Sequence, residues 1–325
     1  MMHQTKSAGA CALIVAVLFL SGAGRSSGAA FRLSFLEDKA ALADTCRLLK
    51  QRGFSEGSVA SFEKLVEHHN RNGNRVDKTR FPTPRDGSYE FNDLGDFTNR
   101  TRTPFAFTPS DHSPAQDTFT CFDAACLLLH GAGCGAPDFE KDLTSRGLVF
   151  SKGGPKGFRA AYSSLLFPEP GYKRLVGKPR PEAETQLLYS IRATRGVSGD
   201  PMSQEAWRSA FATWVRGLKE AGFVFPREFK LGMGFSIYPR QRYLCPGHIF
   251  LCFPQDGRLI CLQKEGSPGP YVRVEFKSQE DMARYMCWPK LEQQKDPKLQ
   301  DAHDSPALIS LNDQLIAVYA PGTQQ

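Results

Sequence analysis

The apolar residues of this 325-residue chain change their spacing once, and that change constrains the fold more than any other feature. Up to about residue 221 they recur at helical intervals, and from about residue 228 they alternate at strand intervals. Residues 37–52 carry Ala40, Leu42, Ala43, Cys46, Leu48 and Leu49 and stop at Gly53. Ser55 then caps a helix over 56–71 with Val59, Phe62, Leu65 and Val66 along one side. Further helices are predicted over 138–146, 157–166, 182–194 and 204–221, the last burying Trp207, Phe211, Trp214, Val215 and Leu218. Strands are predicted over 228–238, 247–253, 258–263 and 271–276, then a short helix over 279–287 and strands over 307–311 and 315–319. Helices first and strands after predict an α+β domain, its helical N-terminal half packed on an antiparallel sheet. Residues 71–116, rich in Asn, Asp, Pro, Thr and Gly, read as a long irregular segment wrapping a core or bordering a cleft.

The first thirty residues have a different character. Lys6 precedes an apolar run over 8–20, and small residues follow it. The run is too short to span a bilayer and no second one follows, which predicts a signal peptide, cleaved after Ala23 or Ala30. The expected product is secreted or periplasmic, with no lipid or other stable membrane anchor. The parts are then 1–30 as signal, 31–115 as a helical and irregular N-terminal region, and 116–325 as the domain carrying the chemistry. Losing Lys6 and Arg25, and no acid, takes the net charge from +7 to +5. Basic residues are scattered, with no Lys/Arg block interleaved with aromatics, so nucleic acid is not an expected partner.

Chemistry concentrates at Cys121. Thr120 reads as an N-cap and Asp123, three residues on, closes a capping box, which makes Cys121 the first helical residue. A helix start favours anions, and therefore the thiolate form that attacks carbonyl carbon. Of nine cysteines, Cys11 falls in the signal and eight remain. With Cys121 free, seven are left, so at least one more thiol must also be unpaired. Cys126, Cys252 and Cys261 lie in apolar runs that suit buried thiols.

A histidine opens the later strand Gly247-His-Ile-Phe-Leu. Taking Pro254-Gln-Asp-Gly257 as the turn, a loop centred between Gln255 and Asp256 sets Leu251 opposite Ile260 and His248 opposite Gln263. Alternation places His248, Phe250, Cys252, Leu259, Cys261 and Gln263 on one face, with Glu265 one pleat further. Either polar side chain would fix the imidazole's tautomer. Metal ligation is not expected: Cys126, His130 and Cys134 are interrupted by Gly131-Ala-Gly133, and no Cys-x-x-Cys knuckle occurs. The adjacent His68 and His69 point about 100° apart on a helix and read as solvated helix-end residues. No glycine-rich phosphate loop is present, and no cofactor is expected.

Thr120-Cys-Phe-Asp-Ala-Ala125 opening a helix, Gly247-His-Ile-Phe-Leu opening a strand, and the polar position Gln263/Glu265 together resemble the papain-like superfamily in its broad sense, including its NlpC/P60 and transglutaminase-like branches. The resemblance covers about half the chain. It implies a papain-like or NlpC-like core with the nucleophile on a helix N-terminus. In it Cys121 would attack, His248 would take and return the proton, and Gln263 or Glu265 would hold the imidazole. Gln116, five residues before Cys121, would be an oxyanion donor alongside the Cys121 amide. The implied activity is a cysteine hydrolase, amidase, peptidase or acyl-transferase, acting on a peptide, peptidoglycan or protein amide. The chain departs from the named branches: papain's Cys-Trp, the Asp-Cys-Ser of typical NlpC/P60 proteins and the transglutaminase Asp-Pro are all missing. A competing expectation is an exported, non-catalytic binding protein on the same fold with disulfide-paired cysteines.

Overall fold

Residues 30–72, 75–76, 78–79, 81–101, 107–108, 120–135, 168–200, 202–238, 242–265, 269–295 and 307–319 are described by a computed structural model of the chain. In chain order the elements are β1 (Phe31–Phe35), α1 (Lys39–Gln51), α2 (Glu56–Asn72), β2 (Arg75–Val76), β3 (Tyr89–Phe91), α3 (Leu94–Thr101) and β4 (Phe107–Thr108). Then come α4 (Cys121–Gly131), α5 (Glu169–Val176), α6 (Glu182–Ile191), β5 (Arg195–Gly196), α7 (Gln204–Glu220), β6 (Lys230–Tyr238) and β7 (Tyr243–Gln255). The last are β8 (Arg258–Lys264), β9 (Tyr271–Phe276), α8 (Gln279–Lys295), β10 (Leu308–Leu311) and β11 (Gln314–Val318). Mixed helix and antiparallel sheet agree with the expected α+β class. The helices predicted over 138–146 and 157–166 lie outside the described residues.

The main sheet runs β11-β10-β6-β7-β8-β9-β1-β3, with β5 added to β7, and its pairings are antiparallel. Its two faces bury different cores. One holds α1, α2, α4, α6 and α7, where Phe62, Leu129, Leu188, Trp207 and Trp214 pack against Leu231, Phe235, Ile249, Leu251 and Leu262. Opposite it, Phe31, Phe91, Phe97 and Tyr285 pack with Phe250, Cys252, Cys261 and Val274. Alternation along β7 and β8 thus sends odd and even positions into separate apolar layers.

Three expectations are corrected here. The described residues open on a strand, not a helix: β1 is inserted between β9 and β3, pairing Phe31 with Phe276 and with Phe91. Five residues of FRLSF are too few to announce a strand, and its partners come from far along the chain. The segment over 71–116 is not irregular throughout, since it contains β3 and α3. Long-range aromatic packing holds them: Phe91 and Phe97 are both fully buried, 5.1 Å apart edge to face, beside Phe31. His69, expected in solvent, is buried and meets the Tyr271 ring edge-on at 5.4 Å.

The β7–β8 hairpin is also tighter than expected. Asp256 and Gly257 have φ of 50° and 74°, the two left-handed positions of a two-residue hairpin turn. Pro254 and Gln255 therefore stay in β7, and the register is Gln255↔Arg258, Phe253↔Ile260 and Leu251↔Leu262. Carried on, it sets Gln263 level with Phe250 and Glu265 level with His248. A slip of two residues leaves every side chain on its predicted face. The face assignment holds although the direct His248–Gln263 pairing does not.

Candidate active site

Thr120 is the N-cap of α4. Its hydroxyl accepts from the Asp123 amide at 3.3 Å, and Asp123 Oδ2 accepts from the Thr120 amide at 2.9 Å. The box satisfies two helix-start donors, and Cys121 is the first residue of the helix, as expected. Asp123 is fully buried and also receives Arg180 Nη2 at 2.8 Å. Arg180 lies 3.6 Å from Glu184 and over the Tyr172 ring at 4.1 Å, and the Tyr172 hydroxyl donates to Glu184 at 2.8 Å. A buried ionic network thus ties the N-terminal end of α4 to the region before and within α6. Further along, α4 crosses α2 at close range: a Cβ on Gly131 would fall 1.8 Å from Ser58 Oγ.

β7 brings His248 to the start of α4. The β6–β7 pairing shifts between Gly234↔His248 and Phe235↔Pro246, so Gly247 is the extra residue of a bulge immediately before the histidine. Bulges of this kind re-aim the neighbouring side chain. The imidazole faces the half-buried Cys121 sulfur, and the Ile249 backbone N–H is turned to the same atom. The other ring nitrogen, Nε2, lies 2.8 Å from Gln263 Oε1. Phe250 stacks beside the ring with centroids 5.8 Å apart, and it does so in space that Gly232 leaves open.

Both polar candidates on β8 are used, in series. Gln263 Nε2 donates to Glu265 Oε1, and the Tyr285 hydroxyl donates to the same oxygen at 2.7 Å. Glu265 Oε1 accepts from both donors, so it draws the amide N–H₂ towards itself and turns Gln263 Oε1 towards His248. Nε2 must then carry the proton, leaving Nδ1 for the sulfur. Tyr285 is backed by Phe31 at 5.3 Å, edge to face, which links β1 to this polar chain.

Electrostatics follow the geometry. Burial alone would push the Cys121 thiol up. The hydrogen bond and charge of His248, the Ile249 amide and the Arg192 guanidinium outweigh it and hold the thiol below its ordinary value. Burial alone would push His248 down. The Cys121 sulfur, the Gln263 oxygen and the Glu265 carboxylate outweigh that and raise the imidazole to about 9. Each group thus favours the charged form of the other, which draws the proton from sulfur towards nitrogen. Cys46, Cys121, Cys126, Cys134, Cys245, Cys252, Cys261 and Cys287 are free thiols, and Cys252 stands opposite Cys261 on adjacent strands.

Cys121, His248, Gln263 and Glu265 are thus brought together. Gln116 lies outside the described residues. Sequence reasoning missed Tyr285, Arg180 and Arg192, each placed by tertiary packing with no local motif. No protein-family model, curated protein or solved structure matches the chain.

Proposed function

We propose that this chain is an exported cysteine hydrolase or acyl-transferase acting on amide or ester bonds. One observation carries the reading: the His248 imidazole is held between a lowered thiol at a helix start and an amide oriented by a buried carboxylate. Structural histidines have no need of that three-part arrangement, whereas nucleophilic catalysis does.

In the reaction the Cys121 thiolate adds to the substrate carbonyl carbon, and the π electrons move to oxygen. That oxyanion forms beside the first amides of α4, which have no acceptor within the helix itself. His248 gives its proton to the leaving amine or alcohol as the tetrahedral adduct collapses to a thioester. Water or an acceptor amine then attacks the thioester, losing its proton to His248, and the thiolate departs. Gln263 and Glu265 keep the ring in one tautomer throughout. The substrate class is a peptide, peptidoglycan or protein amide. Of the two cleavage positions for the signal, the one after Ala23 fits the fold better. It retains Ala30, whose N–H donates to the Phe91 carbonyl at 2.8 Å and whose carbonyl accepts from Lys277 at 3.3 Å.

Limited alkylation with iodoacetamide at pH 6, mapped by peptide mass spectrometry, tests the assignment. Cys121 should be labelled first, and Cys121→Ala should remove that labelling without lowering thermal stability. Equal labelling of wild type and variant would overturn it. Recovery of Cys121 in a disulfide-linked peptide from denatured, unreduced protein would instead support a binding protein on this fold.

A further inference from the structure

Gln263 and Lys264 are neighbours on β8, so their side chains leave opposite faces of the sheet. Gln263 serves His248. Lys264 points into the helical layer and is 1% exposed, although lysine is among the residues least often buried. It lines a cavity of about 20 Å³ together with Cys121, Ala125, Leu128, Leu262 and Tyr271. That is room for about one water molecule. Tyr271 is 1% exposed, and its hydroxyl has no hydrogen-bond partner among the described residues. The Lys264 ammonium stands 5.9 Å from the Tyr271 ring centroid. A cation, an unsatisfied hydroxyl and a water-sized space therefore meet directly behind the nucleophile.

Each packed element presents a titratable group to Lys264. α4 contributes Cys121 and Asp123, and β8 contributes Glu265. α2 contributes His69, which burial and Lys264 itself push down to about 3, so that it stays neutral. β9 contributes Tyr271, which burial keeps protonated. Burial brings Lys264 down to about 7, against the pull of Cys121, Asp123 and Glu265. The amine is thus charged on the acid side of about pH 7 and loses that charge through neutrality.

We propose that Lys264 is a positioning residue of the thiol site: its ammonium, held across a water-sized cavity from Cys121, supports the negative charge on Sγ from the face of the sheet away from the Gln263 chain. The proposal rests on Cys121 being the nucleophile. It adds a second cation, acting through the interior, to the imidazolium that meets the sulfur directly.

The test is the pH dependence of Cys121 alkylation by iodoacetamide between pH 5 and 9, in wild type, Lys264→Met, Lys264→Gln, Lys264→Arg and His248→Ala. Thermal unfolding confirms that each variant is folded. Both neutral variants should move the thiolate limb to higher pH and slow labelling at pH 6 by about three- to tenfold, a tenfold loss corresponding to one unit. Lys264→Arg should recover part of the rate. A limb left in place by both neutral variants overturns the proposal. So does loss of folding in both with rescue by arginine, which would mark a purely structural charge. His248→Ala separates the two readings. If it moves the limb and the lysine variants do not, only the role of Lys264 falls. If it moves nothing, the nucleophile assignment itself falls.

Discussion

The first and second turns of α4 carry one cysteine each, and the two thiols are driven in opposite directions. Cys121 is held below the ordinary thiol range, while Cys126 is pushed well above it. Burial raises both. For Cys126 nothing reverses it: the nearby Asp123 and Glu184 carboxylates raise it further, with only Arg180 opposing. Cys121 sits one turn earlier, where the helix start, the Ile249 amide and the His248 imidazole all favour negative charge. Residue type is shared and burial raises both, so the opposite directions come from what faces the sulfur.

Removing the imidazole should erase most of that contrast. In His248→Ala the alkylation of Cys121 at pH 6 is expected to fall by on the order of a hundredfold, towards the rate of an ordinary thiol. The sign of the wild-type profile follows from the pair. The thiolate–imidazolium form appears once pH exceeds the lowered thiol value. It is lost when the imidazole gives up its proton near pH 9. Turnover should therefore fall above about pH 9, because the leaving group then lacks its acid. Turnover rising through pH 10 would contradict the pair.

A smaller effect is expected from Gly232→Ala. The new Cβ would fall 2.0 Å from the Phe250 ring, which stacks on His248. Displacing that ring should disturb the imidazole, lower Cys121 labelling severalfold and cost about 1–3 kcal/mol of stability. Unchanged labelling would mean that Phe250 is only core. The mildest change is Cys126→Ala. It should leave Cys121 labelling untouched and cost about 1 kcal/mol in thermal unfolding, through lost packing. Any shift of the Cys121 limb in that variant would show that the two turns are electrostatically linked.

Much of the site was legible because its signals are local. The Thr120–Asp123 box, the start of α4 at Cys121 and the alternation placing His248 with Gln263 and Glu265 on one face all depend on residues within one element or hairpin. The turn residues Asp256-Gly257 were legible too, and reading them as a two-residue loop would have given the observed register. Two buried polar residues left usable traces, His69, which was misplaced, and Lys264, which was not singled out. His69 lies seven after Phe62 and three after Val66, on the buried stripe of α2. Lys264 continues the alternation of Ile260 and Leu262 into the helical layer. For His69 polarity was read as exposure against the pattern.

By itself the sequence determined the type of the longer described elements, the helix start that carries Cys121, and the face of the hairpin that carries His248. These follow from backbone capping, turn stereochemistry and period, which act over a few residues. Only the tertiary structure decided that α4 and β7 meet at Cys121 and His248, that β1 enters the sheet between β9 and β3, and that Tyr285, Arg180 and Lys264 surround the site. Those contacts join residues far apart in the chain. They arise because two apolar layers must be buried on the two faces of one sheet, and that requirement leaves no local mark on any of the residues it brings together.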